Sequence, residues 1–196
     1  METPSPCGFD APLGTKTRLR AKTLADAGRD YRWQCDPETA CLDATEPLRM
    51  PFVQYLAEYR KMLSLASPER RFFAIETLSG QHIGNCSYYG IDRQKGDAEL
   101  GIMIGERQYR GKGYGSDAAT TLLDYIFRQT DLKKIRLKTL WDNLRAQRCF
   151  AKCGFIASGE KMIEGHHFLL METDRERWRK ATINSAAEPA DRTTRA

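Results

Sequence analysis

Glycines at every second position, Gly111, Gly113 and Gly115, alternate with Lys112 and Tyr114 directly after Arg110. Residues without a side chain let successive backbone N–H groups turn toward one point, and such a nest captures an anion. The text that follows, SDAATTLLDYIFRQT, carries helix-forming residues with Ala118, Leu122, Tyr125 and Ile126 on one side. A helix starting here adds the partial positive charge of its N-terminus, and Arg110 and Lys112 bring further cationic help to a pyrophosphate. A lone GxGxG is equally well explained as a tight strand-to-helix turn, so spacing and context decide. GxxxxGK[ST] is absent, and the glycines lack the GxGxxG spacing and parallel βαβ setting of dinucleotide sites, which removes kinase and dehydrogenase readings.

Other reactive residues point to less. Cys7, Cys35, Cys41, Cys86, Cys149 and Cys153 form no CxxC pair and have no His at zinc-ligand spacing, so they read as reduced, mostly buried thiols and no metal is expected. His166 and His167 adjoin Gly165 at a hairpin turn, where neighbouring strand residues face opposite ways and do not chelate one ion together. Trp178 stands among Arg175, Arg177, Arg179 and Lys180, a run short enough to be a solvated surface.

The elements that must hold these residues are readable from pattern. Thr17 to Ala21 reads as a strand, and Leu24 to Cys35 as a helix capped near Thr23. Pro51 opens a second helix whose apolar stripe is Phe52, Leu56, Tyr59 and Leu63, ending before Pro68. Three strand-like runs, RRFFAIET, HIGNCSYYGI and DAELGIMIG, are parted by Ser79-Gly80 and Lys95-Gly96-Asp97 and read as an antiparallel meander. After the glycine loop and its helix come the strand KKIRLKTLW, the helix NLRAQRCFAKC stopped by Gly154, and a hairpin of FIASGEKMI and HHFLLMETD. The predicted order is β, α, α, β, β, β, α, β, α, β, β.

Gln108-Tyr109-Arg110-Gly111-Lys112-Gly113 matches the Q/R-x-x-G-x-G/A signature of the GNAT superfamily, in the place that family puts it, between strand four and the next helix. Glu99-Leu100-Gly101, and Asn143 through Cys153-Gly154-Phe155, resemble most the branch of ribosomal-protein N-terminal and spermidine acetyltransferases. The resemblance runs from Arg18 to Asp174. It implies an α/β (α+β) fold with a central, mostly antiparallel mixed sheet of about seven strands and about four helices, splayed between strands four and five. It implies acetyl-CoA as cosubstrate: Ile102, Met103 and Ile104 lie on a bulged strand that pairs with the pantetheine arm. Gln108, Arg110, Gly111, Lys112, Gly113, Tyr114 and Gly115 form the pyrophosphate loop, and Asn143 touches the arm or caps the following helix. Glu99, on the strand leading into the splay, is the candidate base, with a solvated or salt-bridged carboxylate as the alternative. Relatives carry a Tyr general acid seven residues after the Asn; here Phe150 stands there, leaving an unassisted thiolate, Ser87, Tyr88 or Tyr89, or weak catalysis. Covalent catalysis through Cys86 or Cys149 lacks an orienting His.

The 196 residues suit one domain, with 41% apolar and 29% charged residues near globular averages. Residues 1–14 and 181–196 read as flexible tails around a domain at 15–180. The net charge of +5 comes from dispersed Lys and Arg, so no nucleic-acid partner is expected. No signal peptide or run of about 18 apolar residues is present, so a cytoplasmic protein without membrane contact is expected. The expected activity is acetyl transfer to a primary amine: a protein N-terminus, a polyamine, an amino sugar or an antibiotic. For a polyamine, Asp36, Glu38, Asp43 and Glu46 are candidate carboxylates. The alternative is an acyl-CoA-binding regulatory module without efficient turnover. A homodimer is possible.

Overall fold

The computed structural model describes residues 11–65, 67 and 69–180. Seven strands form one sheet: β1 (Thr17–Ala21), β2 (Arg70–Thr77), β3 (His82–Asp92), β4 (Asp97–Ile104), β5 (Lys134–Leu140), β6 (Ile156–Ile163) and β7 (His166–Asp174), in the order β1-β2-β3-β4-β5-β7-β6. All neighbours are antiparallel except β4 and β5. A parallel pair needs a crossover, and helix α4 (Tyr114–Gln129) supplies it. The hairpin turns fall where the glycines were read. Gly80, Gly96 and Gly165 all have positive φ, which relieves the Cβ clash that a left-handed turn imposes on other residues.

Helix α4 buries Leu122, Leu123, Ile126 and Phe127 against Leu19, Ile75, Ile83, Leu100, Ile135 and Leu137 of the sheet, forming the main core. The remaining helices are α1 (Ala27–Cys35), entered through a 3-10 turn at Leu24–Asp26, α2 (Pro37–Leu42), α3 (Phe52–Ser64) and α5 (Leu144–Lys152), and residues 175–180 are helical.

Two expectations need correction. Helix α2 was not assigned, although its signals are present: the Asp36 carboxylate accepts from the Thr39 amide at 3.0 Å and Pro37 occupies the first turn. The stripe of α3 is rotated, since Tyr55 and Tyr59 are buried while Phe52 and Leu63 are exposed, because the helix packs on Tyr31 and Ala27 of α1 through its tyrosines. Ahead of β1, Leu19 donates to the Pro12 carbonyl and Gly14 to the Thr17 carbonyl. Residues 181–196 lie outside the described residues.

A buried charge network ties these helices to the sheet. Arg20 on β1 pairs with Asp26 at 2.6 Å and with Glu76 on β2 at 2.5 Å. Lys22 pairs with Asp30 on α1, which also accepts from the Tyr59 hydroxyl at 2.9 Å and the Asn85 amide at 2.7 Å. Burial by itself would raise the Asp26 carboxyl, but the Arg20 guanidinium, the Thr23 amide and His82 outweigh it and hold it at about 2, below 3.8. A depressed folded pKa contributes stability above the unfolded value and loses it as pH falls through the folded one. Urea unfolding should therefore show about 2 kcal/mol lost between roughly pH 4 and 2, and Asp26→Asn should flatten that slope while lowering stability at pH 7.

Candidate active site

Strands β4 and β5 pair only through Asp97, Ala98 and Glu99 against Lys134, Ile135 and Arg136. Beyond that point they part, and Gly101 to Ile104 remain bonded to β3 alone. The open side is a cleft of about 370 Å³. Ile102, Met103 and Ile104 form its floor, Arg110, Gly111, Gly113 and Gly115 close one end, and Asn143, Ala146, Cys149 and Phe150 line the α5 side. Thr39, Leu42 and Asp43 of the α2 region face them. The splay is as expected, but the bulge is not in β4 at these residues: pairing with β3 is continuous from Glu99 to Ile104, and the register shift falls between Tyr89 and Asp92.

At the loop, Gly111 and Gly113 have φ of 73° and 86°, the left-handed conformation that a nest requires. Gly113 is the cap before the first turn of α4. Gly115 is helical, and a Cβ there would sit between Cys149 Sγ at 3.6 Å and Ile104 Cγ1 at 3.7 Å. Its backbone, unlike that of Gly111 and Gly113, is not left-handed.

Arg110 has a different task from the one its position suggested. Its guanidinium, 7% exposed, donates to the Ile104 carbonyl at 2.8 Å, the Gly105 carbonyl at 3.0 Å, Thr39 Oγ1 at 2.8 Å and Glu38 at 2.8 Å. The side chain clamps α2 onto the end of β4, leaving its backbone to face the loop. Gln108 lies outside the cleft in a neighbouring depression with Trp33, Asp36 and Arg107. Lys112 and Tyr114 do not line the cleft either: the Lys112 carbonyl accepts from Lys16 Nζ at 3.0 Å, and the Tyr114 ring packs edge-on against Tyr109. Asn143 lines the cleft and caps α5, its side-chain oxygen accepting from the Ala146 amide at 3.1 Å.

Glu99 sits where the strands part, its Oε1 accepting from the Tyr89 hydroxyl at 2.6 Å and from Lys138 Nζ at 2.8 Å. The cleft holds two further features: Asp43, read from the sequence only as a carboxylate for a polyamine, and the cations of α5, which the sequence reading missed. Asp43 lines the cleft itself, and the surrounding walls raise its carboxyl while Lys138 pulls the other way. Arg145, Arg148 and Lys152 of α5 give the cleft a cationic side, a spacing of three and four residues that marks one helix face. Among the proton donors considered, Tyr88 is buried in the core, stacked on Phe73, and Phe150 is a core residue against Phe155. Ser87 and Tyr89 instead flank Gly101, where a Cβ would meet each at 3.4 Å. Burial and the Glu99 bond push the Tyr89 hydroxyl up, which keeps it protonated. Of the described cysteines only Cys86 is buried, contrary to expectation; Cys41 is exposed, and Cys35, Cys149 and Cys153, which end α1 or lie on and just after α5, are intermediate.

The fold and this cleft define an acyl-transfer architecture, and the comparisons agree. Residues 16–156 match the acetyltransferase (GNAT) domain, and the chain belongs to that family. It is 30% identical over 166 residues to the uncharacterized N-acetyltransferase p20 of Bacillus licheniformis, covering 80% of this chain and 93% of that one. The fold resembles a spermidine N-acetyltransferase from Vibrio cholerae in complex with CoA and spermine, with TM-score 0.74 and 23% identity over 83% of this chain and 98% of the other. It also resembles aminoglycoside acetyltransferase AAC(6')-Ib in complex with coenzyme A, with TM-score 0.72 and 20% identity over 85% and 99% of the two chains. Among the described residues no helix is long and apolar enough to cross a membrane, and no group of three or more His, Cys, Asp or Glu is placed to hold a metal ion.

Removing the Arg110 clamp leaves the Ile104 and Gly105 carbonyls without this donor and Glu38 with Arg107 alone. Arg110→Ala should cost about 2–3 kcal/mol in urea unfolding, with a raised rate of amide exchange in α2 as the local sign.

Proposed function

We propose that this protein transfers the acetyl group of acetyl-CoA directly to a primary amine of a small molecule. The observation that carries the reading is the parting of β4 from β5 over a cleft that a left-handed glycine loop also lines. The freed edge of Ile102–Ile104 offers backbone groups to an extended arm, in the manner of an added strand. The amides of Gly111 to Gly115, the start of α4 and the cations of α5 suit a pyrophosphate and a further phosphate. The CoA complexes of the spermidine and aminoglycoside enzymes support the cosubstrate, and the ligands in their names support a small amine as acceptor.

A thioester carbonyl is attacked by a neutral amine, so the chain must accept a proton from an ammonium. Glu99, at the mouth of the splay, is our candidate, with Tyr89 and Lys138 fixing its carboxylate. Asp43 is the second, favoured by its place in the cleft wall and a carboxyl raised above its ordinary value. Ser87 and Tyr89 are the hydroxyls on that side. Of the four carboxylates considered for a polyamine, Asp36 and Glu38 are taken up by Arg107 at 2.6 and 3.1 Å. An acceptor with one or two amines suits the remaining charge better than a long polyamine.

Thiol release from acetyl-CoA against a panel of amines tests this. Turnover with some amine class is expected, and CoA stabilisation without turnover on any amine would favour a regulatory acyl-CoA-binding module. Glu99→Gln should lower kcat by about 10²-fold or more if Glu99 takes the proton. If Asp43→Asn shows the larger loss, and removes a kcat/KM decline that begins above the ordinary carboxylate range as pH falls, Asp43 is the base.

A further inference from the structure

We propose that Cys149, with Cys153 at the C-terminal cap of α5, is a thiol modification site in the wall of the cleft, reactive toward small-molecule disulfides and blocking acetyl-CoA once modified. The inference rests on the cofactor reading above.

Cys149 is a cleft-lining residue, and its sulfur lies 3.2 Å from Ser116 Oγ in the first turn of α4. The space above Gly115 is bounded by this sulfur on one side and by Ile104 on β4 on the other. A group attached to Sγ adds bulk to the wall of the cleft that the arm needs. The second thiol is held close by: Cys153 donates to the Cys149 carbonyl at 3.2 Å and to the Ser116 carbonyl at 3.4 Å. Two adjacent thiols share a proton more readily than either gives one up alone, the logic by which paired cysteines yield one thiolate near neutrality. The Cys153 thiol is the main influence lowering Cys149, burial opposes it, and the Ser116 hydroxyl and Lys152 ammonium add to it, leaving Cys149 at about 6. Cys86, by contrast, is pushed up by burial, and Cys41 lies on the exposed face of α2.

The step is thiol–disulfide exchange. The Cys149 thiolate attacks one sulfur of R–S–S–R, the Sγ–S bond forms as the S–S bond breaks, and RS⁻ leaves with the electron pair. A reducing thiol reverses it. The oxidant is the disulfide itself, so no other redox partner is required.

The test uses 5,5′-dithiobis(2-nitrobenzoate) on the full chain, with labelled cysteines identified by peptide mass spectrometry. Desulfo-CoA, which has no thiol to consume the reagent, serves as protector. At pH 7 Cys149 should label faster than Cys41, with its rate inflecting near pH 6, and saturating desulfo-CoA should slow Cys149 at least ten-fold while leaving Cys41 unchanged. The Cys149 adduct should lose the Tm rise given by desulfo-CoA and regain it with dithiothreitol. Cys153→Ala should move the inflection upward. If desulfo-CoA raises Tm yet leaves Cys149 labelling unchanged, or if Cys149 labels more slowly than Cys41, the inference is wrong. Fast Cys149 labelling with no Tm rise from desulfo-CoA would overturn the cofactor reading instead and leave the reactive thiol standing.

Discussion

Everything at this site depends on two strands that stop pairing. A parallel ladder three residues long, Asp97–Glu99 on Lys134–Arg136, holds β4 and β5 together, and one residue later the backbone groups on that side of β4 have no strand to meet. Unpaired strand edges are costly or sticky unless covered. Here the edge is not covered by another element of the fold but lies open as the floor of a cleft, so a ligand with amide groups of its own can complete the sheet.

The rest of the molecule keeps that gap from closing. Strand β5 is fixed on its far side by seven pairs with β7, and β4 by its pairs with β3, so neither can swing across without breaking a full ladder. Arg110 prevents a local collapse at the loop by fastening α2 to the carbonyls of Ile104 and Gly105. Asp117 does similar work beneath the loop, where its carboxylate accepts from the amides of Thr15, Lys16 and Thr17 and from two of their hydroxyls. The start of α4, where the glycines concentrate positive potential, is thus anchored to β1 at the other end of the sheet.

Much of this was legible in the sequence because its causes are local. Glycine spacing specified the loop, period-two runs specified the strands, and all seven strands fall where their text placed them. What escaped were features decided by contacts far apart in the chain. Arg110 reads as a phosphate ligand beside Gly111, but its geometry is set by Glu38 and Thr39, seventy residues earlier. Asp43 reads as one of four candidate carboxylates, and only the fold singles it out by bringing it into the cleft wall. Phe52 and Leu63 fit an apolar stripe as well as Tyr55 does, and the choice among faces was made by the tyrosines of α1 and α3 packing together. Helix α2 was short enough for its cap and proline to pass as a turn.

The most direct measurement of the central claim is amide hydrogen exchange with and without CoA. The account predicts new protection at Ile102, Met103 and Ile104 and at Gly111 to Gly115, with β6 and the β1–β2 edge unchanged. CoA binding that leaves exchange at the β4 edge unaltered would contradict it.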